Sequence, residues 1–142
     1  MRDGLNDVQV VRAIPPAAAI TDNTPLVSEK IDRTGFAGVL IAISLGNLAA
    51  TAASFTSLLQ ESDTGDFAGE ENDVADVDLL GTEALASFDQ SADNACRKLG
   101  YKGIKRYVRL TITPSGNNAA AYIAVIAVLF GAVQQPTANP PA

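Results

Sequence analysis

Charge is absent from two long stretches of this 142-residue chain, and this limits its folds more than any other feature. Neither residues 34–60 nor residues 110–142 contain an acidic or basic side chain. A chain in water must bury such stretches in a core or cover them with another protein. A membrane-spanning helix needs about 20 predominantly apolar residues. Residues 119–133 are fewer, and polar side chains interrupt residues 36–59, so we expect buried strands and no membrane partner.

The remaining charge is segregated along the sequence. Eleven of the 16 acidic residues fall between Glu61 and Asp93, and six of the ten basic residues fall between Arg97 and Arg109. The formal net charge of −6 disfavours binding to nucleic acid. The pattern instead favours charge pairing between the acidic segment and the basic segment, within one chain or between subunits.

Alternating apolar side chains predict strands at residues 36–45 and 104–113. Residues 119–130 are apolar at both alternating sets of positions, which is typical of a central strand buried on each side. A turn at residues 114–117 separates this segment from the preceding strand, so the two are expected to form an antiparallel hairpin. Residues 50–61 favour a strand because they are rich in Ser and Thr, although their Ala and Leu leave a helix as an alternative.

The two ends and the acidic segment have their own character. Residues 1–35 are expected to form an arm with one short strand, Val8–Ile14, which ends at a Pro-Pro pair. A disordered terminus and an arm that packs on a neighbouring subunit both remain open. Residues 61–93 are expected to form a long acidic loop with short ordered pieces at 77–80 and 85–88, and residues 134–142 form a Pro-rich tail.

These expectations define the predicted fold. It is an all-β protein, an antiparallel β-sandwich or jelly-roll-like domain at residues 36–133, with extended N- and C-terminal arms.

The chain lacks the residues that most catalytic mechanisms require. The chain has no histidine, which excludes Ser-His-Asp and Cys-His catalysis, and its single cysteine, Cys96, is expected to be a structural thiol. The acidic run lacks the spacing of an EF-hand calcium loop, so a solvated loop is favoured. Its acids are Glu61, Asp63, Asp66, Glu70, Glu71, Asp73, Asp76 and Asp78. We therefore expect no enzyme, no catalytic residue, no metal and no cofactor.

Several segments together carry a family likeness. They are Asp32-Arg33-Thr34-Gly35-Phe36, Asp78-Leu79-Leu80-Gly81, the run Leu99-Gly100-Tyr101-Lys102-Gly103-Ile104-Lys105-Arg106-Tyr107-Val108-Arg109, and Thr111-Ile112-Thr113-Pro114. An Ala/Val-rich strand and the Pro-rich tail follow. The chain resembles, over residues 8–141, a family of small structural proteins of tailed bacteriophages and prophages, similar to capsid cement or decoration proteins.

The resemblance implies a virion protein on the capsid exterior, made in the bacterial host cytoplasm. Its partners would be the major capsid protein of the phage shell and further copies of itself, as a dimer or trimer. The residues expected to make protein contacts are Val8, Val10, Arg12, Ile14, Lys102, Lys105, Tyr107, Arg109, Pro136 and Pro140. The alternative is a structural or binding module of the head–tail junction or tail, such as a terminator or an adhesin-like carbohydrate binder. A third hypothesis, an enzyme that cleaves cell-wall glycan, would require one essential acid within residues 61–78.

Overall fold

The computed structural model describes residues 3–69 and 71–141. Residues 1, 2 and 142 of the predicted arm and tail, and Glu70 of the acidic run, lie outside the described residues. The strands are β1 (Val8–Ile14), β2 (Leu26–Val27), β3 (Ile31–Asp32), β4 (Phe36–Leu48), β5 (Ser54–Ser62), β6 (Asn72–Asp73), β7 (Leu79–Leu80), β8 (Phe88–Asp89), β9 (Cys96–Tyr101), β10 (Tyr107–Ser115) and β11 (Ala121–Ala132). One short helix, α1, spans Glu83–Ala86, and single 3-10 turns form at Asp76–Asp78 and Gln90–Ala92.

Two antiparallel sheets face each other as a sandwich. The first sheet has the order β1-β11-β4-β9-β7, and the second has β2-β10-β5-β6, with β3 added beside β10 and β8 beside β5. Without the short strands β3, β7 and β8, the order β1-β11-β4-β9 over β2-β10-β5-β6 is that of a jelly roll. The predicted all-β sandwich is confirmed.

The core lies between the sheets and follows the predicted alternation. On β4, Val39, Ile41 and Ile43 are buried, and on β10, Val108, Leu110 and Ile112 are buried. These side chains face each other because every second residue of a strand points to the same side of its sheet. Phe55 and Phe88 stack at the edge of this core with ring centroids 4.9 Å apart.

The predicted hairpin of residues 104–113 and 119–130 is wrong. β10 pairs with β5, whereas β11 lies between β1 and β4 in the opposite sheet. The connection crosses the sandwich and is held by Asn117, whose Nδ2 donates to the carbonyl oxygens of Ile20 and Asp22. Two strands that each bury one apolar side gain more when they face each other across a core than when they lie side by side.

The strand predicted at residues 104–113 also begins later than predicted. Ile104 is 88% exposed, and β10 starts at Tyr107. The backbone N–H of Lys105 donates to the Tyr101 hydroxyl oxygen at 3.0 Å, which bends residues 102–106 into a turn. This turn removes Ile104 from the sheet.

The N-terminal segment is part of the sandwich and not an arm. β1 forms where a strand was predicted and pairs with β11 from Val8 opposite Phe130 to Ile14 opposite Val125. Ile14 is only 5% exposed and belongs to the core, which corrects its assignment as an interaction residue. β2 and β3 pair with β10, so residues 8–32 contribute to both sheets. The segment joins the sandwich because it pairs with strand edges that would otherwise be open, and because it buries its own apolar side chains.

The C-terminal segment lies against the start of β1 and does not project as a tail. The Thr137 hydroxyl donates to the carbonyl oxygen of Val8 at 2.7 Å, and Gln135 donates to Asp7. The acidic segment contains the short elements β6, β7, α1 and β8. None of the described helices is long and apolar enough to cross a membrane.

Candidate binding surfaces

The side of the first sheet that points away from the core is broad and apolar. On β11, inward residues are buried, whereas Tyr122 and Ile126 point outward and are 48% and 46% exposed. This strand is therefore covered on one side only, in contrast to the prediction that both sides are buried. The register places Val10 opposite Val128 and Arg12 opposite Ile126. We call Val8, Val10, Tyr122, Ile126 and Val128 the outer patch.

Charge on this side of the sheet is scarce and of one sign. Among the outward-facing residues of the described strands of the first sheet, the only charged side chains are Arg12 on β1 and Lys98 on β9. Arg12 forms an ion pair with Glu29 at 2.9 Å, and both side chains are exposed, so this pair is weak. A surface of this kind is suited to a partner with apolar and weakly acidic character.

A cleft lies beside the outer patch, at the end of the sheet where β7 pairs with β9. Its volume is about 580 Å³, and its lining is predominantly apolar. The lining residues are Leu40, Leu80, Gly81, Leu85, Cys96, Arg97, Lys98, Gly100 and Phe130. A Cβ atom at Gly100 would come within 2.7 Å of the Leu80 Cβ, so glycine allows the β7 wall to approach the sheet closely.

The basic residues of β10 and the preceding turn contact other parts of the same chain. Lys105 forms an ion pair with Asp63, and the Arg109 guanidinium lies 4.5 Å from the centre of the Phe67 ring. Arg106 lies 4.8 Å from the ring of Tyr107. The predicted pairing between the basic and acidic segments therefore occurs within one chain at Lys105 and Asp63.

Arg106 also determines the titration of one acid. It forms an ion pair with Asp32 at 2.8 Å. The Arg106 hydrogen bonds lower the pKa of Asp32 from 3.8 to about 2, with smaller contributions from Thr34. This pair fixes the start of β10 to β3.

The predicted contact residues separate into groups. Val8, Val10 and Arg12 lie together on the outward side of β1, and Ile14 lies in the core. Tyr107 and Arg109 lie on the opposite outer side of the sandwich, with Lys102 and Lys105 in the turn before them. Pro136 and Pro140 belong to the segment beside the start of β1. The structure thus divides the predicted contact residues between two opposite sides of the sandwich, and the three residues of β1 share the outward side of the first sheet.

Sequence reasoning missed Tyr122, Ile126, Leu40 and Leu80 as surface residues. The sequence of β11 held a signal for the outer patch, because its apolar residues are more numerous than one side of a strand can bury in the core. Among the described residues, no group of three or more acidic or cysteine side chains could hold a metal ion. Cys96 is exposed at the cleft.

Comparisons with known proteins found neither a matching family model nor a matching curated protein. Among solved structures, a chain in the structure of the infectious bursal disease virus Gx strain is 9% identical to this chain. The TM-score is 0.46, and the match covers 87% of this chain and 32% of that chain. The xylan-binding module CBM15 is 14% identical, with a TM-score of 0.42, over 94% and 96% of the two chains. The CBM22-1 xylan-binding domain of Paenibacillus barcinonensis Xyn10C is 11% identical, with a TM-score of 0.43, over 88% and 83%.

The chain spans about a third of the viral chain, and it spans 19% of a further match, BuGH86 in complex with neoagarooctaose.

Proposed function

We propose that this protein is a capsid cement protein of a tailed bacteriophage, which binds the shell formed by the major capsid protein and stabilises the head. The observation that carries the proposal is the outer patch, an exposed apolar surface on a rigid sheet. The sequence resemblance to phage head proteins supplies the partner. In this proposal the protein is made in the bacterial host cytoplasm and is carried on the capsid exterior.

The position of the outer patch in the sheet favours rigid docking. β11 pairs along its length with β1 on one side and β4 on the other. Its outward side chains are therefore held by a backbone that is already ordered, and binding requires little further loss of chain entropy. Exposed apolar patches of this kind mark protein–protein contacts. In this proposal the contact with the shell lies on this surface and not on an extended arm.

Repetition on a shell would strengthen a modest individual contact. Neighbouring copies that touch each other and the shell bind with an effective concentration set by the lattice. An interface of standard size, about 800 Å² per partner, is then sufficient for stable decoration. The low charge of the outer patch suits this role, because its binding would depend little on salt.

The test uses purified shells that lack this protein, mixed with wild-type or variant protein and sedimented. Ile126→Glu and Val10→Glu place a charge in the proposed apolar contact, so both should lose binding to shells. Ile104→Glu is the matched control, because Ile104 is exposed on the turn before β10, outside the outer patch. Loss of binding in the two patch variants with retention in the control would support the proposal. Unchanged binding of the patch variants, or absence of wild-type binding, would overturn it.

A further inference from the structure

The cleft and a neighbouring turn carry charge of opposite sign. The cleft is apolar and has Arg97 and Lys98 in its lining. The turn is Asp76–Asp78, in which Val77 is 73% exposed between two acids. Leu85, on the cleft wall, is 70% exposed. The turn and the cleft thus each expose apolar surface to water beside charged groups. Those groups are acidic at the turn and basic at the cleft.

The turn is ordered and holds Val77 away from its own chain. The Asp78 N–H donates to the Ala75 carbonyl oxygen at 2.8 Å, and the Lys102 N–H donates to the Asp78 carbonyl oxygen at 2.9 Å. β7 follows directly and pairs with β9 through Leu79 opposite Tyr101. These backbone bonds fix the turn beside the cleft, and the exposure of Val77 shows that it does not fill the cleft itself.

Three charged residues of the turn and the cleft have no ion-pair partner among the described residues. Asp76 and Asp78 form no ion pair there, and neither does Lys98. Arg97 donates to the carbonyl oxygen of Cys96 at 3.2 Å. It also lies near Asp89, and its charge contributes, after the Ser91 hydrogen bonds, to the lowered pKa of that carboxyl. Contact of turn with turn, or of cleft with cleft, would place like charges together, so only contact of turn with cleft is electrostatically favourable.

We propose that two copies of this chain associate reciprocally, with Val77 of each copy in the cleft of the other and Asp76 and Asp78 against Arg97 and Lys98. The turn and the cleft are neighbours on one surface, since Val77 is three residues from Leu80 of the cleft wall. A two-fold axis between them generates both contacts at once, as in an isologous dimer. This dimer contact is separate from the outer patch and does not depend on shell binding.

The test is sedimentation velocity of the full chain with charge reversal on each side. The first variant, D76K/D78K, has basic groups in both turn and cleft, and the second, R97E/K98E, has acidic groups in both. The wild type should be a dimer, each variant alone a monomer, and an equal mixture of the two variants a dimer again. D66K/D73K is the matched control, because it changes the same net charge in the same acidic segment outside the turn, and it should remain a dimer.

Restoration of the dimer in the mixture also shows that both variants are folded. A monomeric wild type would overturn the proposal. Dimers that persist in both charge-reversed variants would also overturn it. If such dimers are lost only in Ile126→Glu, they form through the outer patch. Circular dichroism of each variant checks that a monomer is not an unfolded chain, and a mixture that stays monomeric while both variants are folded would also contradict the reciprocal contact.

Discussion

The Tyr101 hydroxyl donates a hydrogen bond to Oε2 of Glu61 at 2.6 Å, and this bond joins the two sheets of the sandwich. Tyr101 lies on β9 of the first sheet and is fully buried, and Glu61 lies on β5 of the second. Burial, with a further contribution from Glu61, raises the pKa of the Tyr101 hydroxyl above its ordinary value. The same hydroxyl accepts from Lys105, so one side chain connects both sheets and the turn before β10.

Tyr101→Phe should lower the free energy of unfolding by about 2 kcal/mol, because it leaves the carboxylate of Glu61 without this donor. The measurement is urea denaturation followed by circular dichroism. Tyr122→Phe is the control, since Tyr122 is exposed on the outer patch, and its change should be within about 0.5 kcal/mol. Equal stabilities of the two variants would show that the hydrogen bond between the sheets contributes nothing measurable.

Asp32→Asn should reduce the loss of stability in acid. The pKa of Asp32 is lowered to about 2 in the folded state by Arg106, so the folded protein holds this proton less tightly than the unfolded chain does. Its contribution is complete above the ordinary pKa of 3.8 and declines as the pH falls toward 2. Both partners are partly exposed, so the effect is modest. Unfolding measured from pH 5 to pH 2 should show a shallower decline for the variant, and parallel curves would contradict this linkage.

Ile14→Ala should lower the free energy of unfolding by about 2–5 kcal/mol, as expected for truncation of a buried aliphatic side chain. This follows from the finding that β1 is part of the first sheet. Val10→Ala is the control on the same strand, and it should cost less than about 1 kcal/mol because Val10 points to solvent. If the two substitutions cost the same small amount, β1 would be a dispensable arm.

Because β1 is part of the first sheet, deletion of residues 1–19 should unfold or aggregate the protein and not merely weaken its contacts.

Phe67→Ala should release the loop that covers the second sheet. Phe67 is buried against the Arg109 guanidinium, although its φ of 51° is unusual for a side chain of this size. Removal of the ring takes away the cation–π contact and the main apolar contribution that holds this backbone conformation. Hydrogen exchange at residues 63–69 should become faster, whereas exchange in β4 and β11 should not change. Unchanged exchange of the loop would show that other contacts hold it.

The sequence predicted strands and their buried sides where the alternation was clear, as in Val39, Ile41 and Ile43 of β4. It could not predict strand partners, because pairing of β10 with β5 joins residues about fifty positions apart and depends on the whole chain. β11 was ambiguous for a different reason. Both of its sides are apolar, and only the assembled sheet shows that Ile126 points outward. The outer patch and the cleft therefore emerge from topology and not from any local motif.

The most direct test of the central claim is the copy number and position of this protein in purified phage particles, measured by quantitative mass spectrometry and electron cryomicroscopy. The proposed function predicts a copy number comparable to that of the major capsid protein, with density on the outside of the shell and the outer patch against it. A ring of few copies at the head–tail junction or tail, or absence from the particle, would contradict it.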